Sequence, residues 1–391
     1  MRIAEAAKRL GTESAFEVLV RARALEAQGR SVVHLEIGEP DFPTPTHVAE
    51  AGMRAIQDGH THYGPAVGLP ELRRAIAEQV ERIQGVSVSP DQVVVTPGGK
   101  PIMFFTIMTL VEPGDEVIYP DPGFPIYRSM IDYVGGRPVP MPLREEHDFR
   151  LDVNELKQLI SPRTKLIILN SPSNPVGSVF ERSDLEAIAD LVRGRDIAVL
   201  SDEIYARITY GYEHESIAAL PGMLDQTIIL DGFSKTYAMT GWRLGYGVFP
   251  AELVPVIDKL MVNSVSCTPA FSQYAGLAAL TGPQDAVDRM LEEFDRRRQA
   301  VVRGLNAIPG LSCTIPRGAF YAFPNIAKTG LSSKEFADRL LQEAGVATLS
   351  GTSFGAQGEG YLRLSYASSL ENLEIALKRI EEFVSSLGQG T

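Results

Sequence analysis

Cysteine is nearly missing from this chain. Two occur in 391 residues, Cys267 and Cys313, too few and too widely spaced for a disulfide framework or a metal-type cluster. Both are expected to be reduced, partly buried thiols of a cytoplasmic protein. Basic residues are also in deficit, with 37 Lys and Arg against 49 Asp and Glu, a formal charge of −12. The only basic cluster, Arg296-Arg297-Arg298, sits in a mixed-charge helical pattern and reads as a solvated face, so no nucleic-acid partner is expected. No apolar run is long enough to cross a bilayer, and none is expected to. The start of the chain, Met1 to Leu10, alternates charge with apolar residues and is not expected to act as a signal peptide. Low-complexity segments and internal repeats are absent as well.

What remains is the composition of a globular enzyme: 44% apolar and 22% charged residues in a length that suits two or three domains. An amphipathic helix is predicted over 13–29, a short strand at 32–35, and a proline-rich loop, Gly38-Glu-Pro-Asp-Phe-Pro, before a helix from about 47 to 57. From about 70 to 250, helices alternate with short apolar strands. The predicted strands are 92–96, 116–119, 165–169, 197–200, 227–230 and 244–248, with helices at 70–83, 100–111 and 124–134 among them. This alternation implies a largely parallel sheet covered on both faces, with the ligand site at the carboxyl ends of its strands. A long helix after about 285, a strand-rich stretch and a closing helix over 370–386 suggest a smaller α+β domain that includes the N-terminal helix.

The polar residues cluster where the sheet would place a site. Lys235 follows the strand at 227–230 in Ser234-Lys-Thr-Tyr-Ala-Met-Thr-Gly-Trp-Arg243; a lysine among small and aromatic residues is a candidate Schiff-base amine. Thr240-Gly241 suggests a turn that brings Arg243 onto the same ligand, although two snorkelling cations at a buried turn would look the same. Gly98-Gly99-Lys100 opens a helix after a strand and is either a phosphate cradle or a tight turn. Asn174, in Asn170-Ser-Pro-Ser-Asn-Pro-Val-Gly177, is a ligand donor or part of a turn. Asp202 and Tyr205, three apart in Ser201-Asp-Glu-Ile-Tyr205, are able to reach one ligand; alternatively Asp202 caps a helix. Together these supply what pyridoxal phosphate needs: a lysine, an acid for the pyridine nitrogen, donors to the phenolic oxygen and a phosphate cradle.

Those motifs, with Tyr63-Gly-Pro-Ala-Val-Gly68-Leu-Pro-Glu-Leu-Arg73 and Arg363-Leu-Ser365, make the chain resemble the class I/II aminotransferases of the fold-type I pyridoxal-phosphate superfamily. The likeness is nearest to the bacterial aspartate-aminotransferase-like branch and spans about residues 12–385. It implies an α/β protein with a large cofactor domain at 45–285, built on a mostly parallel seven-stranded sheet, and a small α+β domain from 1–44 and 286–391. By this resemblance Lys235 carries the cofactor and shuttles the Cα proton, and Asp202 pairs with the pyridine nitrogen. Asn174 and Tyr205 hold the phenolate; Ser234, Arg243 and the Gly99-Lys100 backbone hold the phosphate; Phe124 stacks on the ring. Tyr63 reaches the phosphate of a neighbouring subunit, implying a homodimer with shared sites. Arg363 would fork onto the substrate α-carboxylate, assisted by Asn174 and the Gly38 backbone.

The expected reaction moves an amino group from an L-amino acid to a 2-oxo acid, 2-oxoglutarate by expectation, in a ping-pong cycle. The sequence departs from the usual pattern at Val176 and Phe124, and no residue stands out as the binder of a donor's second carboxylate; Lys100 and Arg128 are candidates. Aspartate-like, alanine and aromatic donors therefore stay open, and the segment Val262–Thr268 is expected to line the side-chain pocket with Gly38 and Phe124. A lyase or synthase of the same fold is the alternative. A regulator built on this fold would carry a basic DNA-binding module, and a nucleotide-binding protein a Gly-x-Gly-x-x-Gly or Walker motif; neither is found.

Overall fold

The computed structural model describes residues 1–387; the last four positions of the expected small domain, 388–391, lie outside the described residues. After a two-residue strand β1 (Val33–His34) come seven strands of one sheet: β2 (Val93–Thr96), β3 (Glu116–Asp121), β4 (Arg137–Pro142), β5 (Thr164–Asn170), β6 (Ala198–Asp202), β7 (Thr227–Gly232) and β8 (Gly245–Val248). Their spatial order is β2-β8-β7-β6-β5-β3-β4, and only β8 runs antiparallel to its neighbours.

Period-two alternation divides each central strand between two cores. Ile167 and Leu169 of β5 and Val199 of β6 face one apolar layer, whereas Leu166, Ile168 and Leu200 face the other. A sheet buried on both sides reads as continuous apolar runs, which is how these strands stood out in the sequence. β4 did not stand out. It carries Pro138, Pro140 and Pro142 and lies at the outer edge, the only place where a strand tolerates so many missing donors.

A further core gathers β1 with much of the C-terminal part of the chain, joined by Tyr205, Ile208 and Tyr210. Val33 and Leu35 pack with residues of the helices Asp285–Ala307 and Leu370–Leu387 and of two short antiparallel strands, β9 (Tyr321–Ala322) and β12 (Leu362–Ser365); β11 (Leu349–Ser350) pairs with β12 on its other side, and its Leu349 packs in the core of the large sheet. β1 itself pairs in parallel with β10 (Val346–Ala347). The N-terminal strand is thereby tied to the C-terminal part of the chain, and the loop after it, around Gly38, is held against the carboxyl edge of the large sheet.

Candidate active site

The carboxyl ends of β3, β5, β6 and β7 open onto one cavity of about 950 Å³, lined among others by Phe124, Asn174, Asp202, Lys235 and Arg363. β6 ends on Asp202 and β7 runs into Ser234-Lys235, so the two chemically central groups sit side by side on adjacent parallel strands.

Lys235 donates from its amine to the Gly38 carbonyl at 2.5 Å. Burial disfavours its ammonium, with the Arg363 charge acting in the same direction and Glu39 opposing; the amine is brought down to about 8. Asp202 is buried and accepts from the Tyr127 hydroxyl at 2.5 Å and from the Ile204 backbone N–H at 3.3 Å. Burial again dominates, raising its carboxyl to about 6 against the Tyr127 hydrogen bond. The capping role weighed for Asp202 is thus present in a minor form, as a turn bond; its other oxygen takes the tyrosine.

Asn170 fixes the neighbouring loop. Its amide donates to the Asp202 carbonyl at 3.1 Å while its oxygen accepts the Asn174 N–H at 2.8 Å, which aims Asn174 into the cavity. Tyr205 shares a 2.7 Å hydroxyl contact with Tyr321, a residue of β9. Arg363, on β12, is buried. It donates to the Glu36 carbonyl and to Asn174 Oδ1, the latter at 3.5 Å, and stacks over Tyr321. Its Nε is buried with no hydrogen-bond partner, and the residue lines the cavity, where a guanidinium is suited to an incoming carboxylate.

At the Gly99 end of the cavity, the helix Lys100–Leu110 begins with no side chain capping it; Pro101 has no N–H and Ile102 donates its own to the Gly99 carbonyl at 3.1 Å, which leaves the Gly99 and Lys100 N–H groups open to an anion. Gly98 has φ +84°, and a Cβ there would lie 2.1 Å from Arg243 Nη2. Arg243 is itself left-handed, at φ +52°, closing the turn Thr240–Trp242, and bonds the Thr240 carbonyl at 2.8 Å. Gly98→Ala is therefore expected to push Arg243 from the cradle and weaken pyridoxal phosphate binding by roughly 10- to 100-fold, the scale of one charge-assisted hydrogen bond. An absorbance titration of apoprotein measures it.

Of the residues expected from sequence, Gly38, Gly99, Lys100, Phe124, Asn174, Asp202, Tyr205, Ser234, Lys235, Arg243 and Arg363 all line this cavity. Tyr63 does not; it is 88% exposed. Lys100 lines the cavity, and its ammonium is bound by Glu13. The segment Val262–Thr268 is not part of the lining. It runs from the last residues of the helix Val254–Ser264 into the loop after it, and Thr268 is turned inward to the Val95 carbonyl at 3.2 Å. Tyr127, Asn170 and Tyr321 were not anticipated. Asn170 had a signal, since it opens the quoted Asn-Ser-Pro-Ser-Asn motif; Tyr127 and Tyr321 sit in apolar helix and strand patterns that read as core.

A lysine with a lowered basicity, a buried acid on the adjacent strand, an uncapped helix start with an arginine beside it, and an unfilled guanidinium together suit pyridoxal phosphate and an amino acid. Such a site defines an enzyme working at the Cα of amino acids. The sequence profile of the family described as aminotransferase class I and II matches residues 30–380. The chain is 44% identical to an aspartate aminotransferase of Pyrococcus abyssi, covering 90% of this chain and 92% of that one. It is 42% identical to an aromatic-amino-acid aminotransferase 2 of Thermococcus litoralis, covering 91% and 92%. The solved aspartate aminotransferase of Thermus thermophilus with maleate superposes with a TM-score of 0.93 at 38% identity, over 98% of this chain and all of that one. The chain belongs to the class I and II aminotransferases. It is a pyridoxal-phosphate-dependent aminotransferase acting on amino and 2-oxo acids, and none of these relatives points to the lyase alternative.

Proposed function

We propose that Lys235 is the amine that holds the cofactor and, once released by the donor, the base that moves the proton between Cα and the cofactor. The bound cofactor supplies an electron sink for the charge left at Cα when that proton departs. Asp202, kept in place by Tyr127, would hold the proton on the ring nitrogen and so keep that sink effective. Asn174 and Tyr205 would donate to the phenolic oxygen, and Phe124 would pack against the ring. Ser234, Arg243 and the open N–H groups of Gly99 and Lys100 would bind the phosphate. Arg363 would take the substrate carboxylate, with Asn174 and the Gly38 backbone beside it. The observation that carries this reading is the pairing, in one cavity, of the Lys235 amine with a buried Arg363 whose Nε has no partner.

The donor is proposed from aspartate-like, alanine or aromatic amino acids, with 2-oxoglutarate as acceptor. The names of the Pyrococcus and Thermococcus relatives support the first and last of these donors. A homodimer is proposed, supported by Tyr63, an aromatic side chain left 88% exposed. The division at 44/45 and 285/286 is supported by the joint packing of Val33 and Leu35 with the C-terminal core. A cytoplasmic setting is supported by two unpaired thiols. No helix of the described residues is long and apolar enough to cross a membrane.

The test is visible absorbance of the holoenzyme, challenged with single amino acids in the absence of an oxo acid. A cofactor band that bleaches with a donor and returns with 2-oxoglutarate is expected. A band that persists while ammonia accumulates would mean elimination instead.

A further inference from the structure

The cavity is lined by more acids than the proposed chemistry uses. Most of them are engaged away from a substrate. Glu39 accepts from the Thr240 hydroxyl at 2.9 Å, Asp41 from Arg297 at 2.7 Å, and Glu26 from the His34 ring at 3.1 Å. Glu13 differs. It stands at the N-terminal boundary of the helix Ser14–Glu26 yet makes no capping bond to it. Its carboxylate instead accepts from the Lys100 ammonium, a contact between the N-terminal segment and the helix that opens the phosphate cradle.

The cations of the lining divide in a similar way. Lys235, Arg243 and Arg363 are committed to the cofactor and the α-carboxylate in the reading above. Arg23 lies exposed on the outer helix, and Arg128 is outside the lining, paired with Asp132 at 3.6 Å. Lys100 remains. Its ammonium is 5.5 Å from the centroid of the Phe124 ring, so the Glu13–Lys100 pair stands beside the aromatic wall of the cavity, with the Glu13 side chain only 19% exposed.

We propose that Glu13 is a specificity-determining residue, a resident competitor for the cation that a dicarboxylic substrate needs. The proposal rests on the aminotransferase reading of this site. An aromatic or aliphatic donor leaves the Glu13–Lys100 pair intact. Aspartate or glutamate brings a second carboxylate, which reaches Lys100 only by displacing Glu13. The displaced carboxylate is then left mostly buried and unpaired beside another negative charge, and both effects oppose binding. The same competition acts on 2-oxoglutarate in the return half-reaction, which is used with a raised KM. The chain thereby favours uncharged donors without any clash against the shape of acidic ones.

The experiment compares wild-type and Glu13→Gln holoenzymes in single-turnover half-reactions with aspartate, glutamate, phenylalanine and alanine. In Glu13→Gln, kcat/KM for the two acids is expected to rise by about 5- to 10-fold, the scale of one partly screened ion pair, while phenylalanine and alanine stay within about twofold. In a Lys100→Gln background the same change is expected to give the acids no gain. Equal shifts for all four donors would assign the pair to fastening the N-terminal helix and overturn the proposal, as would a selective gain that survives Lys100→Gln. A wild-type enzyme that bleaches with none of the four would overturn the underlying reading, which separates the two failures.

Discussion

Replacing Lys235 by alanine is expected to lower kcat by on the order of 10⁴-fold, the upper range for a positioned proton-transfer group, with the fold left intact. The fold survives because Lys235 contributes a single hydrogen bond, to the Gly38 carbonyl, while burial of its ammonium opposes folding. Two measurements on the apoprotein isolate the lysine from the rest of the site. The rate at which wild type captures pyridoxal phosphate is expected to climb with pH to a midpoint near 8, where the amine becomes neutral, rather than near the 10.5 of an ordinary lysine. The stability effect has a definite sign. Between about pH 8 and 10.5 the unfolded chain holds a proton on this lysine that the folded chain has released, so wild-type stability gains with rising pH across that window relative to Lys235→Ala. Parallel melting curves of the two apoproteins measure the difference, and a difference that stays flat over the window would remove the claim that the amine is depressed.

Asp202→Asn is expected to lower kcat by about 10²- to 10³-fold, the cost of truncating one member of a buried hydrogen-bonded charge pair. Asparagine keeps the shape and accepts the Tyr127 hydroxyl, so the loss reports charge rather than collapse. The wild-type carboxyl, raised to about 6 by burial, also predicts a pH dependence. Below that pH Asp202 is protonated and no longer draws a positive ring nitrogen, so cofactor affinity falls as pH drops through 6 in wild type and changes far less in Asp202→Asn. Pyridoxal phosphate titrations at pH 5, 6 and 7.5 decide it, and coincident profiles for the two proteins would exclude Asp202 as the group that titrates.

Much of this site was legible because its residues sit at the ends of strands, and strand ends are where apolar runs stop. The strand predicted at 197–200 extends to Asp202, and the one at 227–230 to Gly232, so the structure lengthens these elements without moving Asp202 or Lys235 off the carboxyl edge. The turn suggested by Thr240-Gly241 is present, closed by a left-handed Arg243. What escaped notice depends on contacts between distant parts of the chain. Tyr127 meets Asp202 across 75 positions, and Tyr205 meets Tyr321 across 116; nothing local distinguishes these hydroxyls from core aromatics. The partner of Lys100 was hidden for the same reason, since Glu13 lies in what reads as the exposed start of an amphipathic helix. The β4 strand was missed through its prolines, which argue locally against a strand and are compatible only with an edge position that the sequence does not announce.

Those prolines have a consequence for how the protein behaves in a crowd of its own copies. In β4 and just beyond it the odd-numbered residues face inward: Arg137 and Leu143 donate their N–H groups to the Asp115 and Asp121 carbonyls. The alternate positions, whose donors would point away from the sheet, are Pro138, Pro140 and Pro142 and have none to offer. A stray strand approaching that rim finds no ladder to extend, so a wide, largely apolar sheet ends in a margin that resists templated aggregation while the chain is being made or refolded.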